Sequence, residues 1–305
     1  MNRAGKWPHT WGLAWSRFWF FSHSPKQIRF FRTVFGLLLF GYFISRSWDL
    51  ELFYSEKGIL PLSVIPELIT SQKLYSLLGY FTSTTMLWVF HVSLLVSLLT
   101  MAFGIFPKTS AFIASVLHIS FLHRNMAVAY GVDAISTYFL VYLCFADGTT
   151  YVDSTKTIRI FLSSVAFRFA QIQVCIIYGY SGLMKLEGPH WWRGEAVWDV
   201  LTNHQLARWD FSWIGAFPVL IALSTYATMI WEVYFPILVW LKPLRRFTLW
   251  GGVMLHLGIG VALNIPYFAA VMISTYILFL DSEEIDRLTL KKVKVIRSVT
   301  DELIV

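Results

Sequence analysis

Apolar residues are concentrated in eight runs along the chain. They lie at residues 30–47, 83–105, 109–125, 132–147, 165–185, 214–241, 247–263 and 266–281. An α-helix rises about 1.5 Å per residue, so roughly twenty apolar residues cross the hydrocarbon core of a bilayer. The pattern predicts an all-α fold, a polytopic integral membrane helical bundle of about eight transmembrane helices.

Basic residues occur in alternate connections between these runs and in both terminal segments. They are Arg3, Lys6, Arg17, Lys26, Arg29, Lys108, Lys156, Arg159, Lys242, Arg245, Arg246, Lys291, Lys292, Lys294 and Arg297. Cytoplasmic loops of membrane proteins are enriched in lysine and arginine. We therefore expect a protein of the plasma (inner) membrane with both termini cytoplasmic. The long connections 48–82 and 186–213 then lie on the extracytoplasmic side.

The polarity pattern divides the chain into three parts. Residues 1–27 form an aromatic and basic segment, cytoplasmic or interfacial, whose tryptophans suit a helix lying in the membrane interface. Residues 28–281 form the transmembrane domain, and residues 282–305 a basic cytoplasmic tail. The first segment lacks the features of a cleaved secretory signal, so we expect it to be retained. Arg32, near the start of the first run, is expected to orient that helix or to contact lipid headgroups.

Composition supports membrane insertion and argues against nucleic-acid binding. Hydrophobic residues make up 56% of the chain and charged residues 14%, whereas soluble domains average about 25% charged residues. The formal net charge is +7, but the basic residues lie in loops and termini instead of on one phosphate-binding face. The expected partner is the lipid bilayer, with no nucleic acid.

Histidine and cysteine occur singly within the apolar runs. Cys144 and Cys175 show no CxxC spacing, and His91, His118 and His256 show no HxxxH spacing. We therefore expect no metal. A lone intramembrane histidine more often makes a hydrogen bond between helices.

The fifth run carries one polar stripe at helical spacing. Its members are Arg168, Gln171, Cys175, Tyr178, Ser181 and Lys185. An unpaired ammonium group in hydrocarbon is costly, so Lys185 must reach water or find a partner. An amine shielded from water gives up its proton more readily and can act as a base. Two interpretations stay open: Lys185 extends to the interface from a packed stripe, or the stripe lines a cavity with Lys185 as base or anion anchor.

Two acids are candidate charge partners. Glu232, one turn before Pro236, lies deep in the sixth run and must pair inside the bundle or stay protonated. A structural ion pair and a catalytic role are both open for it. Asp133 opens the fourth run, where the helix dipole favours an acid, and it lies at the same end of the bundle as Lys185. With Tyr178 and His256, these acids complete the candidate site.

The loop that follows Lys185 combines turn residues with aromatic residues. Gly188, Pro189 and Gly194 predict sharp turns, and Trp191 and Trp192 follow the first of them. The tryptophans would pin the loop to the membrane interface. Such a loop suits either a lid over an amphipathic substrate or a simple membrane anchor.

An ordered set of motifs resembles the horizontally transferred transmembrane domain, the membrane part of vitamin K-dependent γ-glutamyl carboxylases and their bacterial relatives. The set comprises Phe31-Arg32, Phe35-Gly36, Tyr54 to Pro61, Tyr130 to Asp133, Tyr178 to Gly194, Glu232 with Phe235-Pro236, His256 to Gly258 and Pro266 to Phe268. It covers about residues 28–281. In the carboxylases, a lysine in the corresponding Gly-x-x-Lys-Leu segment deprotonates vitamin K hydroquinone. The resemblance implies that Lys185 is the matching base and that the cofactor is a quinone or quinol.

The chain departs from the carboxylases in three ways. Gly131, Val132 and Asp133 stand where the carboxylases carry an asparagine–histidine pair, and Met184 precedes Lys185 where their lysines are paired. No counterpart of the luminal β-rich region that binds the substrate propeptide is recognisable. Glutamyl carboxylation is therefore not expected. Shorter bacterial members of the superfamily resemble membrane proteins needed for maturation of the sporulation-delaying peptide toxin, and this chain matches their size and layout.

Two functions follow from these observations. The first is a quinol- or lipid-linked membrane enzyme with an extracytoplasmic-facing pocket, Lys185 as general base, and Glu232, Asp133, His256 and Tyr178 shaping or charging the pocket. The second is a non-catalytic membrane subunit for maturation or export of a secreted peptide (a toxin or bacteriocin), with that peptide or a soluble maturation partner bound. A catalytic Lys185 should lie in an enclosed pocket, within hydrogen-bond reach of an acid or tyrosine, whereas a structural one should point to headgroups. A transporter is disfavoured because no internal repeat is seen.

Overall fold

The computed structural model describes residues 7–20, 25–64, 75–146, 148 and 157–288. Arg3, Lys6, Lys156 and the predicted basic tail from Lys291 onward lie outside these ranges. Within them the fold is helical, and the extended pairing is limited to an isolated bridge between Ala207 and Leu263.

The described α-helices are α1 (Trp7–Phe20), α2 (Pro25–Ser45), α3 (Leu50–Tyr54), α4 (Leu77–Tyr80), α5 (Thr84–Phe103), α6 (Pro107–Arg124), α7 (Gly131–Phe145), α8 (Thr157–Glu187), α9 (Pro189–Trp192), α10 (Ala196–Thr202), α11 (Pro218–Leu238), α12 (Lys242–Ala262) and α13 (Pro266–Thr275). Short 3₁₀ segments, Arg46–Asp49 and Tyr276–Phe279, follow α2 and α13 directly. The eight predicted runs correspond to α2, α5, α6, α7, α8, α11, α12 and α13. Proline begins α6, α11 and α13, where its missing N–H is not needed.

Several of these helices have the length and apolarity of membrane spans. In the described part of the chain, four segments are long and apolar enough to cross a membrane: Pro25–Tyr54, Thr84–Phe103, Ile158–Glu187 and Pro218–Leu238. Gly131–Phe145 and Pro266–Phe279 are shorter apolar helices.

The distribution of polarity across the bundle matches a lipid environment. Phe112, Trp250 and Val261 on outer faces are 61%, 66% and 64% exposed, while His118 and Thr225 are fully buried. Apolar side chains outside and polar groups paired inside are favourable in lipid, where an outward polar group has no water to bind. The protein is a helical membrane protein.

The eight long helices pack as a closed ring in chain order. Each packs against the next, from α2 to α5, α6, α7, α8, α11, α12 and α13, and α13 returns to α2. Because consecutive helices alternate in direction, the last residues of α2, α6 and α12 lie near the first residues of α5, α7 and α13. The last turns of α8 lie beside Glu232 and Val233, in the second half of α11. We call this end of the ring the Lys185 end. Polar groups that are distant in the sequence converge there.

The N-terminal aromatic segment forms a helix, as the sequence predicted. Helix α1 packs on the outside of α8: Arg168 Nε donates to the Phe18 carbonyl at 2.6 Å, and the Phe18 ring lies 5.6 Å from the ring of Trp240. Trp11 and Trp15 stay exposed. This arrangement ties α1 to the end of the ring opposite Lys185.

Arg32 is buried beneath the turn that follows α5. The turn begins at Gly104, whose φ of +79° is a left-handed conformation that favours glycine. A Cβ at Gly104 would lie 2.7 Å from Arg32 Nη2. Of the two roles expected for Arg32, burial supports the positioning of α2 and not contact with headgroups.

Helices α8 and α11 approach closely because glycines face the contact. A Cβ added at Gly182 would lie 2.7 Å from the backbone nitrogen of Val233, and one at Gly179 would lie 3.1 Å from Pro236 Cγ. Small residues let helix backbones approach in membranes, where packing drives association. Because Pro236 cannot donate to the carbonyl of Glu232, it also interrupts the helical hydrogen bonding of α11 at that level. The close contact sets the distance between Lys185 on α8 and Glu232 on α11.

We predict that Gly182→Ala destabilises the protein by about 1–3 kcal/mol, because its new methyl group meets backbone atoms that cannot move aside easily. The matched control is Gly258→Ala in α12, where an added Cβ meets no atom within 4 Å. That variant should be neutral or more stable by up to about 1 kcal/mol, from the helix propensity of alanine. Thermal unfolding of both purified variants tests the prediction, and equal midpoints would contradict it.

Candidate functional site

Lys185 and Glu232 form an ion pair between α8 and α11. The Lys185 Nζ atom donates to Glu232 Oε2 at 2.6 Å and to Ser181 Oγ at 2.7 Å. The side chains of Lys185 and Glu232 are 17% and 10% exposed. Ser181 lies one turn before Lys185, so both present the same face of α8. The lysine therefore meets one of the two geometric conditions set for a base, an acid within hydrogen-bond reach.

The loop after α8 covers the ion pair with an indole ring. The Lys185 Nζ atom lies 4.9 Å from the ring centroid of Trp191, a cation–π contact. Gly194 has a φ of +73°, and a Cβ there would lie 3.0 Å from Ala222 Cβ on α11. The predicted turn residues thus let this loop pack back onto α11 beside Lys185.

A second cluster joins Tyr178, His256 and Tyr276 about two helical turns below the ion pair. The Tyr178 hydroxyl is hydrogen-bonded to His256 Nε2 at 2.7 Å and to the Tyr276 hydroxyl at 2.6 Å. All three residues are at least 95% buried. The Tyr178 ring packs on Phe235 with centroids 4.3 Å apart. Glu232 lies within electrostatic range of both tyrosines, so the two clusters share one interior face.

Asp133 belongs to a separate cluster. Its Oδ2 atom accepts from the hydroxyl of Tyr42 at 2.6 Å, from the backbone N–H of Tyr130 at 3.1 Å and from Arg46 Nη2 at 3.3 Å. The bond from Tyr130 N–H is the helix-start interaction expected at this position. Among the described contacts, Asp133 does not bind Lys185, although both lie at the same end of the ring. Its carboxylate is already satisfied between α2 and α7.

Burial around the Asp133 cluster affects Tyr130. The residue precedes α7, and burial, which disfavours the charged phenolate, raises the pKa of Tyr130 to about 12. Tyr130 therefore stays a neutral phenol at physiological pH. Arg46 also donates to the Tyr54 hydroxyl at 2.8 Å and lies 4.3 Å from the centroid of the Tyr42 ring. The cluster is a neutralised ion pair enclosed by aromatic rings.

The lower half of the polar stripe on α8 is used for packing. Gln171 Nε2 donates to the Leu278 carbonyl at 2.7 Å, and Arg168 Nη1 donates to Gln171 Oε1 at 2.7 Å. The stripe thus divides into a packed half near α1 and a half that contains Tyr178, Ser181 and Lys185.

The remaining intramembrane histidines link helices. His91 Nε2 is hydrogen-bonded to Ser47 Oγ at 2.8 Å, and His118 Nε2 to the Asp133 carbonyl at 2.9 Å. Across the described residues, no group of three or more histidine, cysteine or acidic side chains is arranged to hold a metal ion.

Three polar residues of these clusters did not stand out in the sequence. Arg46 carried a detectable signal, because it lies four residues after Tyr42, a spacing that places both on one face of a helix. Tyr42 and Tyr276 lie in apolar runs in which a tyrosine is unremarkable. Only packing shows that their hydroxyls meet other polar groups.

Comparisons with protein-family models, with curated proteins and with solved structures found no match for this chain. Its geometry therefore defines it as a helical membrane protein with a largely buried acid–base pair at one end of the bundle. Such a pair can hold a proton in two places or bind an anion at the ammonium.

We predict that Glu232→Gln destabilises the protein by about 3–5 kcal/mol, because it leaves the Lys185 ammonium without its counter-charge in a mostly buried site. A second change, Lys185→Met, should recover most of that loss by removing the charge itself. Thermal unfolding of the two single variants and the double variant measures the coupling. Additive effects would show that the two side chains do not interact, contrary to the 2.6 Å bond.

Proposed function

We propose that the chain is an integral protein of the plasma (inner) membrane with eight transmembrane helices and both termini in the cytoplasm. Support comes from the distribution of charge. Basic residues gather at the end of the ring opposite Lys185, namely Lys26, Arg29, Lys108, Arg159, Lys242, Arg245 and Arg246. Lysine and arginine mark cytoplasmic loops. The Lys185 end then faces the extracytoplasmic side.

Cysteine labelling tests this orientation. In a background with Cys144→Ser and Cys175→Ser, we expect Lys57→Cys to react with a membrane-impermeant maleimide in intact cells. Lys242→Cys, exposed at the opposite end, should react only after permeabilisation. The cysteine-free background is the control, and the opposite pattern would invert the orientation.

We further propose that this protein is a quinol- or lipid-linked membrane enzyme in which Lys185 removes a proton from a hydroxyl group of the substrate. The observation that carries the proposal is the 2.6 Å bond between Lys185 and Glu232. Transfer of the proton from Lys185 to Glu232 along this bond leaves a neutral amine beside a carboxylic acid. The amine can then take the proton of an acidic hydroxyl.

A quinol fits this chemistry because it is an aromatic diol that dissolves in the hydrocarbon of the bilayer. The resemblance to the horizontally transferred transmembrane domain also supports a quinol, and membership of that superfamily is part of the proposal. A quinol that loses two protons and two electrons becomes a quinone. Molecular oxygen that accepts them becomes hydrogen peroxide, so oxygen serves as the co-substrate.

We predict that Lys185→Arg abolishes quinol oxidation while the protein stays folded. Arginine keeps the positive charge opposite Glu232 but does not deprotonate, so the base is lost and the ion pair is retained. Oxygen uptake with a soluble quinol should fall at least about 100-fold, the usual contribution of a general base. Lys57→Arg, an exposed lysine at the same end, is the matched control and should keep full turnover.

A second function is favoured by a different observation. The ammonium of Lys185 is already bound by Ser181, Glu232 and Trp191, as expected of a purely structural lysine. In that case the chain is a non-catalytic membrane subunit for maturation or export of a secreted peptide. Absence of turnover in the wild-type protein, with only a stability change in Lys185→Arg, would support this second function and contradict the first.

A further inference from the structure

The ammonium of Lys185 is enclosed by groups of the chain itself. An ammonium group has three N–H donors. Two of them point to Ser181 Oγ and Glu232 Oε2, and the Trp191 ring lies against the nitrogen at 4.9 Å. The third donor has no protein acceptor among the described contacts, and a ligand that reaches the nitrogen from the side of Trp191 takes the place of its indole.

Ser181 and Glu232 are poor candidates for displacement. Ser181 is part of the same helix as Lys185, one turn away, and Glu232 would be left as a buried charge without a partner. Trp191 belongs to the loop, and its contact with Lys185 involves no hydrogen bond. The indole is therefore the group that can leave at least cost.

Hydrogen bonds fix the segment around Trp191, but the Trp191 side chain makes none among the described contacts. The neighbouring Trp192 donates from Nε1 to the Leu186 carbonyl at 2.6 Å, and its own carbonyl accepts from the Tyr226 hydroxyl at 2.7 Å. A Cβ at Gly188 would lie 2.9 Å from Trp191 Cδ1, so glycine at this position makes room for the indole. The indole can thus swing on its two side-chain torsions without movement of the loop.

We propose that Trp191 is a specificity-determining residue whose indole occupies the ligand position over Lys185 and exchanges with the ring of a quinol. This inference rests on the proposed quinol function. A ligand that displaces the indole must replace a cation–π contact, which a planar aromatic ring does and a saturated lipid does not. A hydroxyl on that ring adds the hydrogen bond that indole lacks.

The first test measures how well Trp191 covers Lys185. Full-length protein in lipid nanodiscs is treated with a water-soluble acetylating reagent, and mass spectrometry follows Lys185 relative to the exposed Lys57. Trp191→Ala should raise the relative rate of Lys185 modification about fivefold, the factor that corresponds to losing a cation–π contact. Trp192→Ala is the matched control and should leave the rate unchanged. No increase for Trp191→Ala would overturn the proposal.

The second test uses durohydroquinone, a single-ring quinol, as a protecting ligand against acetylation. If the indole and the quinol compete, Trp191→Ala should need about fivefold less quinol for half-protection of Lys185. Trp191→Phe keeps a smaller aromatic ring and is expected to fold even if Trp191→Ala does not. Its quinol concentration for half-protection should lie between those of the wild-type protein and Trp191→Ala. Equal or weaker protection in Trp191→Ala would show that the indole does not compete with the ligand, and the proposal fails.

The two tests separate this inference from the proposed function. If durohydroquinone protects no variant, the exchange with a quinol is refuted together with the quinol function. The first test still decides independently whether Trp191 covers Lys185. If quinol protects the wild-type protein but Trp191→Ala changes neither measurement, the quinol function stands and the role of Trp191 falls.

Discussion

An ammonium group inside an apolar bundle needs a counter-charge, and much of this structure follows from supplying one. Lys185 on α8 meets Glu232 on α11 at 2.6 Å. The pair exists because Gly179 and Gly182 let the two helix backbones approach, and because the loop from Gly188 to Gly194 folds back over the lysine. Removing one charged partner would leave the other as an unpaired charge in an apolar interior. This destabilises the protein far more than removing both partners. Close packing and charge neutralisation therefore depend on each other here.

The closed ring of helices explains why polar groups collect at one end. Alternating helices bring the ends of α2, α6 and α12 together with the starts of α5, α7 and α13, and the end of α8 lies beside the second half of α11. Arg46 with Asp133 and Lys185 with Glu232 are both ion pairs between helices at this level. Tyr42 and Tyr54 contact the first pair, and Trp191 contacts the second. An ion pair in contact with tyrosine or tryptophan therefore occurs at two places in the ring.

The chemistry of the two pairs differs because their surroundings differ. Asp133 is only 2% exposed and is bound by Tyr42, Arg46 and the Tyr130 backbone, which leaves it little capacity for a ligand. The Lys185 pair is covered on one side by a single indole whose contact is weak and reversible. Asp133 therefore serves to hold α2 and α7 together, and Lys185 is the residue to which we assign the proposed reaction.

The helical fold, the apolar exterior and the need of Glu232 for an internal partner follow from composition and periodicity, because hydrocarbon excludes unpaired polar groups wherever they lie. The turn after Lys185 can also be predicted from the sequence, because glycine and proline determine local backbone conformation. The hydrogen-bond and ion-pair partners of these residues cannot be predicted from the sequence. That Glu232 binds Lys185 while Asp133 binds Arg46, and that Tyr276 joins Tyr178 and His256, depends on helices far apart in the chain. Such pairings are decided by the order and closeness of helix packing, which no local pattern encodes.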